Sequence, residues 1–141
     1  MPRLDVLLHD IIRINRIRIL FMKRQLAGYP LCGTMHILLT YLHNHPGASQ
    51  DDLAAFYALD KTTVAREAKR LEELGYICRN IDTCNRRQYE LYLTQEGETI
   101  VTAIYDAYQQ FSERLSAGMT QEQWQTAAQL LKMMNENLSS L

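Results

Sequence analysis

Between Ser49 and Gly75 the chain spells two helices with almost no room between them, and this spacing restricts the fold more than any other feature. Ser49 is a good N-cap, and Asp51 and Asp52 fall in the first turn, where the helix dipole is positive, so a short helix is predicted over residues 50–57. Ala58 and Leu59 leave a tight connection to Asp60, which can cap a second helix. That helix carries Val64, Ala68, Leu71 and Leu74 on one face until Gly75 supplies a left-handed C-cap. Two helices joined by a turn of about three to four residues make a helix-turn-helix. Beyond Gly75 the period changes from helical to alternating, first in Tyr76-Ile77-Cys78-Arg79 and again in Tyr89-Glu90-Leu91-Tyr92-Leu93. The polar, turn-prone run Asp82-Thr83-Cys84-Asn85-Arg86-Arg87 between them reads as the tip of a β-hairpin, a wing.

The flanks are helical. Leu4, Leu7, Leu8, Ile11, Ile14 and Phe21 recur at helical spacing with arginines between them, predicting a long amphipathic helix from residue 4 to about 26. Gly28, Tyr29 and Pro30 stop it. A second helix is predicted from about Cys32 to His43, carrying Met35, Leu38, Leu39 and Leu42 and ending before Pro46 and Gly47. Thr94 caps a long helix through Ile100, Ile104, Tyr108, Phe111 and Leu115, which Gly118 closes. Thr120 with Gln123 forms a capping box for a last helix with the stripe Trp124, Ala127, Leu131, Met134 and Leu138. The expected fold is mainly α with a small β-hairpin wing. A single domain over residues 1–141 holds a winged helix-turn-helix at 31–97, with N- and C-terminal helices at 1–30 and 98–141 forming a dimerisation region. A monomer would expose much of Leu4, Leu8, Ile11, Trp124, Leu131 and Leu138, and such a patch is rare on a soluble monomer.

Composition narrows the function classes. With 141 residues, 47% of them hydrophobic, the chain can bury one core. The formal net charge is only −1, so its distribution matters more than its sum. Arg13, Arg16, Arg18, Lys23 and Arg24 form one basic segment. Lys61, Arg66, Lys69, Arg70, Arg79, Arg86 and Arg87 form another, and the residues beyond Thr94 are mostly acidic. No apolar run approaches the roughly 18 residues of a membrane span, and the N-terminal residues lack a secretory h-region, so a cytoplasmic location is expected. Cys32, Cys78 and Cys84 lie too far apart for a CxxC site and read as free thiols, with Cys78 in the core and Cys32 opening a helix. No Gly-rich phosphate loop and no nucleophile with a recognisable partner is present, so neither an enzyme nor a cofactor is expected. His36, His43 and His45 invite a metal reading, but the ligand count is not evident and none is assigned.

A basic face is often only a solvated surface; here it joins a helix-turn-helix and a wing, and a helix fits the major groove of B-DNA. Thr62, Thr63 and Arg66 are the candidates for base contact, and Arg66 could grip a guanine through two hydrogen bonds. Lys61, Lys69 and Arg70 suit phosphates, Ser49 joins the DNA-facing set, and Arg86 and Arg87 at the hairpin tip could enter the minor groove.

The runs Gln50-Asp51-Asp52-Leu53-Ala54, Leu59-Asp60-Lys61-Thr62-Thr63-Val64-Ala65-Arg66 and Lys69-Arg70-Leu71-Glu72-Glu73-Leu74-Gly75-Tyr76-Ile77, then Arg79, then Asn85-Arg86-Arg87 and Leu91-Tyr92-Leu93-Thr94-Gln95-Glu96-Gly97, resemble the MarR family of bacterial regulators. The resemblance is continuous from about Gly47 to Gly97. It implies a triangular homodimer whose first and last two helices interlock, with recognition helices in successive major grooves of a pseudo-palindromic operator. It further implies a repressor released by a small anionic or phenolic effector, or by thiol oxidation. This chain departs from the family at Asn85, where an Asp usually braces the wing. The resemblance places effectors between the dimer helices and the DNA-binding unit, where Arg16, Tyr29, His36 and Tyr41 are candidates; aromatics there also serve simply as packing. Cys84, beside Arg86 and Arg87, is the candidate redox thiol, since neighbouring cations favour the thiolate. A thiol-switched regulator and a protein-binding winged helix are the competing functions.

Overall fold

The computed structural model describes residues 3–81 and 89–141. In chain order the elements are α1 (Leu4–Gln25), α2 (Met35–Asn44), α3 (Gln50–Tyr57), α4 (Lys61–Glu73), β1 (Ile77–Ile81), β2 (Tyr89–Leu93), α5 (Gln95–Leu115) and α6 (Gln121–Leu138). The fold is helical with one antiparallel hairpin, as the change of period predicts, and it divides into two compact units, Met1–Tyr108 and Gln109–Leu141.

In the first unit α2 is central. Its Leu38, Leu39 and Leu42 meet Leu53 of α3, Val64, Ala68 and Leu71 of α4, Leu91 of β2 and Ile104 of α5, all buried. The helix ends are set locally. Ser49 Oγ accepts from Asp52 N–H while the Asp52 carboxylate accepts from Ser49 N–H, a full capping box for α3. Ala58 then takes a left-handed conformation at φ 53°, and Leu59 N–H returns to the Ala54 carbonyl, so the turn into α4 is closed within a few residues. Asp60 accepts from Thr63 N–H to start α4, and Gly75 at φ 83° ends it.

The hairpin pairs Ile77 with Leu93, Arg79 with Leu91 and Ile81 with Tyr89. One interaction lies outside the predicted pattern: Gly47 N–H donates to the Leu91 carbonyl and Leu91 N–H donates to the Ala48 carbonyl, both at 2.9 Å. The segment leading into α3 thus borders β2 on the side away from β1. The expectation that Cys78 is core is wrong. Alternation buries Ile77, so its neighbour Cys78 points to the exposed face. Nor does Cys32 open a helix: α2 begins at Met35, because Gly33 at φ 58° turns the chain, leaving Cys32 exposed ahead of it.

Thr94 joins the hairpin to α5. Its hydroxyl donates to the Gly75 carbonyl at 2.6 Å and accepts from Gly97 N–H at 3.1 Å. Gly97 lies so close to the residue that leads into β1 that a Cβ there would overlap the Tyr76 carbonyl oxygen, a backbone atom that cannot rotate away. Gly97→Ala is therefore expected to cost about 1–2 kcal/mol in urea unfolding, because strand and helix must separate to admit one methyl group. An unchanged midpoint would show that the contact relaxes freely.

On α1, Val6, Leu8, Ile12 and Leu20 are each more than half exposed. In the second unit Gly118, at φ 80°, precedes a capping box between Thr120 and Gln123, as expected. Trp124 and Ala127 are half-buried, while Leu131 and Leu138 are more than half exposed.

Candidate nucleic-acid interface

Burying Val64, Glu67, Ala68 and Leu71 turns the opposite side of α4 outward. Lys61, Thr62, Arg66, Lys69 and Arg70 are all exposed there. Two of the cations are partly engaged: Lys61 lies 3.7 Å from Asp51 and Arg70 3.5 Å from Glu73, surface pairs worth little. Among the described residues Arg66 and Lys69 form no ion pair, leaving two unneutralised charges about one turn apart on the exposed face. Thr63 is half-buried and its hydroxyl lies 3.4 Å from the Asp60 carboxylate, so it is tied to the cap more than Thr62 is. Ser49 is 7% exposed with its hydroxyl engaged in the α3 cap. Arg86, Arg87, Cys84 and Asn85 lie outside the described residues.

Arg79 has a role that counting charges does not reveal. Half-buried on β1, it pairs through Nε with the Glu72 carboxylate of α4 and lies over the Tyr89 ring at 5.6 Å. It braces the hairpin to α4.

Of the four proposed effector residues, His36 lines a cavity among the described residues. That cavity, about 430 Å³, lies between α1 and the start of α2, lined by Arg18, Met22, Leu26, Cys32, Thr34 and His36 among others. Arg16 is not among its lining residues, which on α1 begin at Arg18. Tyr29 does not line it either, and Tyr41 packs elsewhere, stacked on His45 at 4.2 Å and tilted against Phe56. His43 bonds Glu98 at 2.8 Å, and among the described residues no three His, Cys, Asp or Glu side chains converge.

Arg18 donates to His36 Nε2 at 3.3 Å, which makes Nε2 the acceptor and puts the neutral ring's proton on Nδ1. Burial, and secondarily the Arg18 guanidinium, push the His36 pKa from 6.5 down to about 4. Tyr108, whose ring meets His36 edge-on, is held protonated above the usual phenol range, chiefly by burial. As pH falls from 6.5 towards 4, unfolded chains take up a proton at position 36 that folded chains refuse, so stability is lost through that window. Allowing for partial screening, the wild type is expected to lose about 1–2 kcal/mol more than His36→Gln between pH 7 and 4.5 in urea titrations. Equal losses would show that His36 titrates normally.

Sequence reasoning missed Arg18, Arg79 and Glu67. Glu67 was the most legible: it lies three residues after Val64 and four before Leu71, on the buried face of α4.

A turn-linked helix pair with a cationic outer face, followed at once by a braced hairpin, defines a winged helix-turn-helix protein. The family model described as the MarR family matches residues 34–89. The crystal structure of MarR is 32% identical, with a TM-score of 0.83, covering 96% of this chain and 90% of that one. The chain belongs to the MarR family of transcriptional regulators. YybA, an uncharacterized HTH-type transcriptional regulator of Bacillus subtilis, is 28% identical over 103 residues, 73% of this chain and 69% of its own length. Two other curated relatives are covered over only 57% and 65% of their lengths. A putative MarR family regulator from Listeria monocytogenes, solved complexed with a 26mer DNA, shares the fold at 24% identity and a TM-score of 0.88, covering 94% of this chain and 89% of that one.

Proposed function

We propose that this chain is a sequence-specific repressor that binds a pseudo-palindromic double-stranded operator as a homodimer and is released by a small anionic or phenolic effector. The exposed face of α4, with Arg66 and Lys69 unneutralised among the described residues, carries the reading. A helix presenting cations and a hydroxyl suits a major groove, and a similar fold has been solved complexed with a 26mer DNA. In this reading Thr62 and Arg66 contact bases, and Thr63 sits behind them. Lys61, Lys69 and Arg70 hold phosphates, Arg86 and Arg87 take the minor groove, and Ser49 supports α3 by capping it. Exposed apolar side chains on α1 and α6 are buried against a second copy, and the protein works in the cytoplasm. The Arg18 and His36 cavity accommodates the effector, with Arg18 supplying the positive charge.

The test is selection of bound fragments from genomic DNA by the purified protein, followed by fluorescence anisotropy on the best fragment across a salt series. An enriched inverted repeat, with log affinity falling linearly in log salt by roughly 0.9 per phosphate neutralised, is expected. No enrichment, or affinity indifferent to salt, would sink the reading and favour a protein-binding winged helix.

A further inference from the structure

The cavity beside α1 and the helix α4 belong to one compact unit, and Glu67 lies between them. Glu67 is 6% exposed, and burial of a carboxylate demands partners. It finds them on the cavity wall: Oε1 accepts from Thr34 N–H at 3.1 Å and Oε2 accepts from the Thr34 hydroxyl. Cys32, Gly33 and Thr34 all line the cavity, and Gly33 holds φ 58° so close to Glu67 that a Cβ would overlap its Oε1. A three-residue turn therefore has the cavity on one side and a carboxylate of α4 on the other, while Arg66, next in sequence, stands on the exposed face.

We infer that Glu67 is a strut coupling the cavity to α4: a group that fills the cavity displaces the turn at 32–34, and the two bonds to Thr34 pass that displacement to the helix that reads DNA. Half of this connection cannot be lost cheaply, because a buried carboxylate without its donors has no water to replace them. The turn and α4 thus move together. Coupling of this kind is reciprocal, so a helix held on DNA resists filling of the cavity by the same factor. Glu67 acts here as a positioning residue and touches neither ligand nor DNA.

The inference rests on the repressor reading, and its test separates the two. In a Cys78→Ser, Cys84→Ser background, N-ethylmaleimide on the exposed Cys32 serves as the cavity-filling group. Hydrogen–deuterium exchange across α4 is measured before and after alkylation, alongside anisotropy on the selected duplex. With the strut intact, the adduct is expected to speed exchange of α4 amides and to weaken duplex binding about tenfold, within the usual range of allosteric coupling. In Glu67→Leu both responses are expected to shrink below about twofold, and in Thr34→Val, which loses the hydroxyl donor but keeps the backbone N–H, the carboxylate and nearly the same shape, they are expected to fall to an intermediate level. Glu67→Gln, which retains an acceptor for Thr34 N–H, is expected to restore part of them. Equal responses with and without the strut, or none in the parent, would overturn the inference. A parent that binds no duplex at all defeats the repressor reading instead, and the exchange measurement still decides the strut.

Discussion

A protein carrying Leu131→Asp and Leu138→Asp is expected to remain folded, to sediment as a monomer, and to lose on the order of a hundred- to ten-thousand-fold in affinity for a duplex with two half-sites. Both leucines are more than half exposed on α6. On a surface that faces only water, such substitutions move stability by no more than about 0.5 kcal/mol, which is why folding survives. Buried between two copies, each aspartate would place an unpaired charge against apolar side chains, costing several kcal/mol unless the contact opens. Without the dimer the second half-site is no longer captured at high effective concentration, so the loss is large on the full operator and small on a single half-site. Analytical ultracentrifugation with anisotropy on both duplexes checks this. A variant that stays dimeric would place the interface elsewhere.

The second large effect is expected at Arg66. Arg66→Ala should weaken binding to the selected operator by about 1–3 kcal/mol, roughly ten- to more than a hundredfold, and relax discrimination at one base pair. Lys69→Ala, one turn further along the same exposed face, should instead weaken all duplexes alike and lower the salt slope by about one. The contrast matters more than either number, since both residues are exposed and neither is ion-paired among the described residues. Protein stability should not change, because neither side chain packs against the core. Uniform weakening by Arg66→Ala would move base reading to Thr62 or the wing.

Much of this architecture is legible in the sequence because it is built from local physics. Caps at Ser49, Asp60, Thr94 and Thr120 and left-handed residues at Gly75 and Gly118 are decided within a few positions, and the structure has them where spacing puts them. What spacing does not reveal is pairing between distant segments. Arg79 reads as one more DNA-facing cation until its contact with Glu72 is seen, and the spacing that puts Glu67 on the buried face of α4 does not name Thr34 as its partner. Arg16 and Arg18 are equivalent by composition, and only the docking of α1 on α2 makes one a cavity wall. The phase of β1 was equally hidden: Tyr76-Ile77-Cys78-Arg79 alternates either way, and packing of Ile77 decides against Cys78.

The backbone bonds that Leu91 makes to Gly47 and Ala48 tie β2 to the residue just before the α3 cap, while Arg79 ties β1 to α4. The base of the hairpin and the helix pair therefore share one frame, held by main-chain hydrogen bonds at β2 and by an ion pair at β1. Side chains on the outer face of α4 take no part in that frame and can be exchanged for others without moving the base of the hairpin. A frame of that kind can be fitted with new lettering while it stays the same.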